Sequence, residues 1–248
     1  MSIPFDLAGW PLAWMALAVL GAAYIRGYSG FGFSALVVSA SALVTNPLNF
    51  VPVVMLLEIA ATAGQAPAAL KDFNRPLLGW LLLGATIGMP VSIGLLSSLD
   101  TDLLRLIISV WILIMCVLLL SGWSLRTKVG TAGTVGVGIV SGLANAAAIG
   151  GLPVALFLTA QNLLARVFRA TMIFYLCAID LVALPILGYA GVISTDTFIA
   201  AALCIPLLGA GVWLGGRKFV SAAPENFRRM AISLLALLAV LGLVKSLL

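Results

Sequence analysis

Residues 103–123 read Leu-Leu-Arg-Leu-Ile-Ile-Ser-Val-Trp-Ile-Leu-Ile-Met-Cys-Val-Leu-Leu-Leu-Ser-Gly-Trp, and Arg105 is the single charge among them. An α-helix needs about 20 apolar residues to cross a hydrocarbon core about 30 Å thick. This stretch meets that length, and others like it fill the chain. Hydrophobic segments run over approximately Ala8–Ile25, Phe31–Thr45, Leu48–Leu70, Leu77–Leu99, Leu103–Trp123, Val129–Leu143, Leu152–Leu164, Ala170–Ile193, Phe198–Gly215 and Phe227–Val244. Hydrophobic residues make up 63% of the 248 positions and charged residues 8%, against about 25% charged in a soluble domain. So few charges cannot clothe a surface in water, so lipid is the main solvent. The expected fold class is an all-α membrane protein of about ten segments.

The same composition excludes several chemistries. There are no histidines, which removes the commonest general base and metal ligand. Cys116, Cys177 and Cys204 all lie inside apolar segments without metal-ligand spacing. They read as small buried hydrophobes. No catalytic Ser/Lys or metal constellation stands at recognisable spacing, so an enzyme is not expected, nor a cofactor. The formal charge of +5 forms no basic cluster, so no nucleic-acid partner is expected. The start, Met-Ser-Ile-Pro-Phe-Asp, lacks the positive region and cleavage site of a secretory signal.

The charge excess reads instead as a topology signal. If ten segments alternate across the bilayer, one side receives Arg26, Lys71, Arg75, Arg126, Lys128, Arg166, Arg169, Arg217, Lys218, Arg228 and Arg229. The other side receives Arg105 and Lys245. Lys and Arg mark the cytoplasmic side, so both termini are expected in the periplasm or exterior. Keeping the second and seventh segments on the side where they began gives eight against five, a poorer split. Treating the first two segments as one re-entrant hairpin, and the sixth and seventh as another, leaves the parity unchanged. Charge counting leaves hairpins and full crossings both open.

The halves, residues 1–124 and 125–248, resemble each other. Glu58 falls on Asp180 at a shift of 122 residues. Gly88 and Gly94 fall on Gly209 and Gly215 at 121, Gly30 falls on Gly151, and Leu104-Arg105 falls on Phe227-Arg228 at 123. Each half holds five segments, an odd number, so the second is expected to be inverted relative to the first. Inverted repeats place substrate at their interface near the bilayer midplane.

A Gly-rich turn opens each half: residues 26–34, Arg-Gly-Tyr-Ser-Gly-Phe-Gly-Phe-Ser, and residues 141–153, ending Ile-Gly-Gly-Leu-Pro. Glycine lets backbone approach a ligand, and a helix starting there points free N–H groups at an anion. Pro153 suits the first turn of such a helix. The expected substrate-binding set is Arg26, Gly27, Tyr28, Ser29, Gly30, Asn145, Gly150 and Gly151. Helix packing is the competing role for the glycines, above all for Gly84/Gly88, Gly138/Gly142 and Gly211/Gly215. Arg26 is either a cytoplasmic topology residue or the planar partner of an oxyanion. Glu58 and Asp180 are the acidic residues deep in apolar segments. They read as proton-coupling groups, with a carboxyl satisfied by a neighbouring helix as the alternative. Gln65, Gln161 and Asn162 read as interhelical or interfacial polar residues.

At these residues the chain resembles the TauE/SafE family of sulfite exporters and organosulfonate permeases. The likeness covers most of the chain and rests on the two related halves, the Gly-rich turns and the repeated glycines. It implies secondary transport of sulfite, sulfonates or related small anions across the bacterial inner membrane. The family's turn positions carry over to Gly27, Ser29, Gly30, Gly150 and Gly151. Tyr28, Ser29, Phe31 and Phe33 depart from the family's run of small residues, which reshapes the implied pocket. Export of a small sulfur anion, with proton coupling, is the leading expectation. An uptake permease and a non-transporting assembly factor are its competitors. The expected partners are that anion and the lipid bilayer; a homodimer is left open.

Overall fold

A computed structural model of the chain describes residues 4–96, 99–122, 124, 129–219 and 224–247. Met1 to Ile3, Trp123, Arg126, Lys128 and Leu248 lie outside the described residues, as do the side chains of Lys218, Phe227, Arg228 and Arg229.

Among the described residues ten α-helices fall on the hydrophobic segments: α1 Trp10–Ser29, α2 Phe33–Ser41, α3 Val51–Ala69, α4 Arg75–Leu96, α5 Thr101–Leu120, α6 Thr131–Asn145, α7 Gly151–Ala160, α8 Ala165–Tyr189, α9 Thr195–Phe219 and α10 Pro224–Leu247. Their ends follow local chemistry. The Asp100 carboxylate accepts from the N–H groups of Asp102 and Leu103 and starts α5. Gly30, at φ +81°, ends α1 in the left-handed conformation, and its N–H donates to the Arg26 carbonyl. Spans that are long and apolar enough to cross a membrane are Pro47–Ala69, Thr101–Leu120, Ala165–Tyr189 and Thr195–Arg217. α2 has 9 residues and α7 has 10. At about 1.5 Å per residue each reaches roughly half the hydrocarbon thickness.

The Gly-rich turns are shorter than the sequence suggests. α1 continues through Arg26, Gly27, Tyr28 and Ser29, and α6 through Asn145. In lipid a backbone N–H bonds within its own helix unless something better is offered, so helix extends to the last residue that can pair.

Helix packing has an internal symmetry. The main pairings are α1 with α9, α4 with α6, α5 with α10 and α3 with α8. Exchanging α1–α5 for α6–α10 maps this set onto itself, and it also maps α1·α2 onto α6·α7 and α3·α9 onto α4·α8. Glycine makes the two closest crossings. A Cβ added at Gly84 would collide with the Val135 carbonyl of α6, and one at Gly138 with the Leu81 carbonyl of α4. Gly215 stands likewise against Tyr24 on α1. Gly27 belongs to this group: its Cβ would strike the Val212 backbone on α9. Gly27 therefore serves helix packing in this fold, the competing role named for the glycines. A Cβ at Gly94 or Gly209 meets nothing within 4 Å, so the matched pairs Gly88/Gly94 and Gly209/Gly215 differ in what they pack.

The two ends of the bundle are chemically distinct. Trp14 near the start of α1 donates to the Ala40 carbonyl near the end of α2, so these helices run antiparallel as a hairpin. Arg105, in the first turns of α5, donates to the carbonyls of Ala42 and Thr45, and Lys245 donates to that of Leu43. These cations cover the carbonyl end of α2, where a positive charge suits the helix dipole. At the other end Arg166 faces Asp72 at 3.8 Å, and Thr171 accepts from the Asn74 N–H.

Gly138→Ala is expected to lower the stability of the purified protein by about 1–3 kcal/mol through overpacking. Gly136→Ala, two residues along the same helix with nothing within 4 Å of the added Cβ, is expected to match the wild type. Thermal unfolding midpoints in detergent distinguish them.

Candidate functional site

α3 carries Glu58 and Thr62 at a spacing of four, so both side chains leave the same face of the helix. That face meets α8 and the end of α1. Arg26, one turn before α1 ends, has no exposed surface, and neither has Glu58. Arg26 Nη2 lies 2.8 Å from Glu58 Oε2 and donates to Thr62 Oγ1 at 3.2 Å. Arg26 Nη1 donates to the Gly30 carbonyl at 2.6 Å. The guanidinium thus ties the carboxylate of α3 to the turn that ends α1. Its Nε has no hydrogen-bond partner among the described residues. Arg26 is therefore not a surface residue that marks topology.

Other groups complete the enclosure. Ser34, in the first turn of α2, donates to Glu58 Oε1 at 3.2 Å. The Thr62 hydroxyl also reaches the Glu58 and Ile173 carbonyls, linking α3 to α8. Arg169 of α8 donates to the Gly27 carbonyl at 2.8 Å. It also fills the space beside Gly30, where an added Cβ would meet Arg169 Cγ at 2.8 Å. Cys177 stands within reach of the Thr62 hydroxyl and of the charges on Arg26, Glu58 and Asp180.

The second half builds a related cluster with different chemistry. Asn145, the last residue of α6, donates its amide to Asp180 Oδ1 at 3.3 Å, and Asp180 is buried. Ser141 donates to the Gly150 carbonyl at 2.5 Å, which leaves the Tyr175 hydroxyl as donor to Ser141 at 2.6 Å. Each turn therefore offers a nitrogen donor to the carboxyl of its own half, a guanidinium to Glu58 and an amide to Asp180. Asp180 is also close enough to interact electrostatically with Glu58 and Arg26. Glu58 contacts the buried guanidinium directly, and Asp180 is held by Asn145.

The expected binding residues thus separate. Arg26, Glu58, Asn145 and Asp180 are drawn into one buried polar region. Ser29 turns back on its own backbone, donating to the Ile25 and Phe31 carbonyls. Tyr28 is buried in the packing of α1. Added Cβ atoms at Gly150 and Gly151 would meet the Ser141 carbonyl and Leu176, so both sit against protein. Thr62, Ser34, Ser141, Tyr175 and Arg169 were missed. Thr62 was legible as the residue four beyond Glu58. Arg169 was read for its charge, although it sits close to the first turn.

Helices long and apolar enough to cross a bilayer, enclosing a buried ion pair and a second buried carboxyl, define a polytopic membrane protein. The sequence profile of the TauE/SafE sulfite exporters matches residues 15–242, and the chain belongs to that family. No curated protein and no solved structure matches it.

Removing one partner of a buried ion pair leaves the other charge bare, at a cost of about 3–5 kcal/mol. Arg26→Met is expected to lower stability by that order. Adding Glu58→Leu is expected to recover most of the loss, as measured by thermal unfolding of purified single and double variants.

Proposed function

We propose that the protein exports a small sulfur oxyanion, sulfite or an organosulfonate, across the bacterial inner membrane, with Arg26 as the anion ligand and Glu58 as its proton-controlled competitor. The observation that carries this reading is the Arg26–Glu58 pair itself. The Glu58 carboxylate already occupies the place of an oxyanion on a fully buried guanidinium. Sulfite presents the same kind of oxygen, and the unpartnered Nε offers it a further donor.

The competition fixes the sign of the coupling. An anionic Glu58 satisfies Arg26 and excludes the substrate. A proton on Glu58 removes the carboxylate's charge, and Arg26 then takes the oxyanion. Proton and anion are bound in the same state and leave together. The groups in contact with Glu58 are Arg26 from α1, Ser34 from α2 and Thr62 from its own helix, with Asp180 and Cys177 of α8 within electrostatic range. Asp180, held by Asn145, supplies a second carboxyl but no second cation. Sulfite as a dianion moving with one proton carries one net negative charge, and a potential negative inside drives it outward by about 2.3 kcal/mol per 100 mV, whereas a sulfonate monoanion with one proton moves without net charge.

The inverted-repeat reading, with residues 1–124 and 125–248 as its halves, is supported by helix pairings that survive exchange of α1–α5 with α6–α10. Short α2 and α7, and the antiparallel α1–α2 pair, support re-entrant hairpins. Such hairpins would bring Arg26 and Asn145 to the repeat interface, where transporters bind substrate. Both termini face the periplasm in this reading. The basic residues Arg166, Arg169 and Arg217 then share the cytoplasmic end, and Arg105 and Lys245 the other.

The decisive experiment reconstitutes the protein in liposomes and measures sulfite flux under imposed pH and voltage gradients. Wild-type flux is expected to respond to both. Glu58→Gln keeps the shape of the side chain and removes its titration, so flux is expected to persist and lose its response to the pH gradient. Arg26→Gln is expected to weaken sulfite about tenfold or more, equivalent to about 1.4 kcal/mol. A pH response that survives Glu58→Gln removes Glu58 from coupling. For topology, a cysteine replacing Tyr189, which is 95% exposed at the end of α8, is expected to react with membrane-impermeant thiol reagents from the periplasmic side of cells.

A further inference from the structure

The polar face of α3 does not stop at Thr62. Gln65 lies three residues further on, so Glu58, Thr62 and Gln65 form one stripe about 10 Å long at 1.5 Å per residue. Gln65 is buried at 6% exposure, and neither its amide nitrogen nor its amide oxygen has a hydrogen-bond partner among the described residues. A buried amide without a partner costs stability, so its persistence points to a ligand or solvent that completes it.

Gln65 lines a cavity of about 790 Å³ between the end of α3, the start of α8 and the end of α9. Arg166, Arg169 and Arg217 line the same cavity, against one carboxylate, Asp72. Arg217 is held over the Trp213 ring at 3.7 Å. Arg169 joins the cavity to the central site, because it also donates to the Gly27 carbonyl one residue from Arg26. Three guanidiniums around one recess raise the local concentration of anions. Gln65 beside it brings an amide whose N–H has no partner among the described residues and whose oxygen is an acceptor, the two kinds of group a hydrated oxyanion uses.

We propose that this cavity is an access station for the substrate oxyanion, where Gln65 and the surrounding guanidiniums hold it one helical turn from Thr62 before it reaches Arg26. The inference rests on the anion-transport reading above and assigns the basic end of the bundle as the face that loads substrate. The ligand chemistry is a compact oxyanion group. A lipid phosphate shares that chemistry, and the open cavity commits to the free anion because its one directional donor sits deep on α3, not at the rim.

The test uses the full chain in nanodiscs of phosphatidylcholine alone, titrated with sulfite while tryptophan fluorescence is followed. Trp213→Phe identifies the Trp213 contribution. A saturable Trp213 change is expected in the wild type and also in the Arg26→Gln, Glu58→Gln double variant, which removes the central cation without leaving a bare buried charge. Gln65→Leu is expected to raise the half-saturating sulfite concentration about tenfold, and to raise the KM for liposome flux while the maximum rate is kept. Gln65→Glu, of the same shape, carries the test where Gln65→Leu does not fold, and is expected to weaken binding further. Sulfite flux without any saturable Trp213 change would overturn the station while leaving the transport reading intact. So would a Trp213 change that ignores both Gln65 substitutions, or one produced by adding phosphatidylglycerol and not by sulfite. A Gln65-dependent Trp213 change in a protein that moves no sulfite would support the binding site and remove the transport reading.

Discussion

A guanidinium buried between membrane helices needs its counter-charge within the protein, and Arg26 finds it in Glu58 at 2.8 Å. Much of the surrounding structure follows from that need. Arg26 sits on the last turn of α1, so α1 must end beside α3. Gly30 takes a left-handed conformation there, and its carbonyl accepts from the same guanidinium. Ser34 brings the start of α2 to the other carboxylate oxygen. Three helices are thus fixed to one another by a single charge pair and its hydrogen bonds. In lipid, where apolar surfaces gain little from leaving the solvent, such polar contacts and close van der Waals packing do most of the work of association.

The close packing is supplied by glycine. At the α4–α6 and α1–α9 crossings, backbone lies against backbone where any side chain would intrude. These tight crossings flank α3 and α8, the helices that carry Glu58 and Asp180. These crossings hold the outer helices close around the buried polar groups of α3 and α8. The α3 face extends the same chemistry from the centre to the basic end of the bundle, through Thr62 to Gln65.

The two halves share their plan but not their chemistry. Arg26 meets Glu58 with a full positive charge, whereas Asn145 meets Asp180 with an amide. An amide orients a carboxyl without neutralising it. The buried guanidinium thus stands among residues 1–124 and its carboxamide counterpart among residues 125–248.

Composition and hydropathy are enough to identify lipid as the solvent, the helical class, the hydrophobic segments and the candidate charges. Lipid tolerates so few charges that hydrophobic runs can be counted directly, and a carboxyl in the middle of such a run stands out. Segment ends were legible to within a few residues, except at the turns, where α1 and α6 run on because an unpaired backbone group has no water to turn to. Glycine itself was ambiguous. Gly27 packs against Val212, Gly30 supplies a left-handed cap, and Gly151 rests on Leu176, yet all three look alike in the chain. Which charge belongs to which follows from the packing of the helices. Arg26 and Glu58 are separated by 32 positions, and Asn145 and Asp180 by 35, distances along the chain that no helical period encodes. Pairing at that range depends on where the helices cross, and the crossings are set by backbone contacts between helices that the one-dimensional order of residues does not specify.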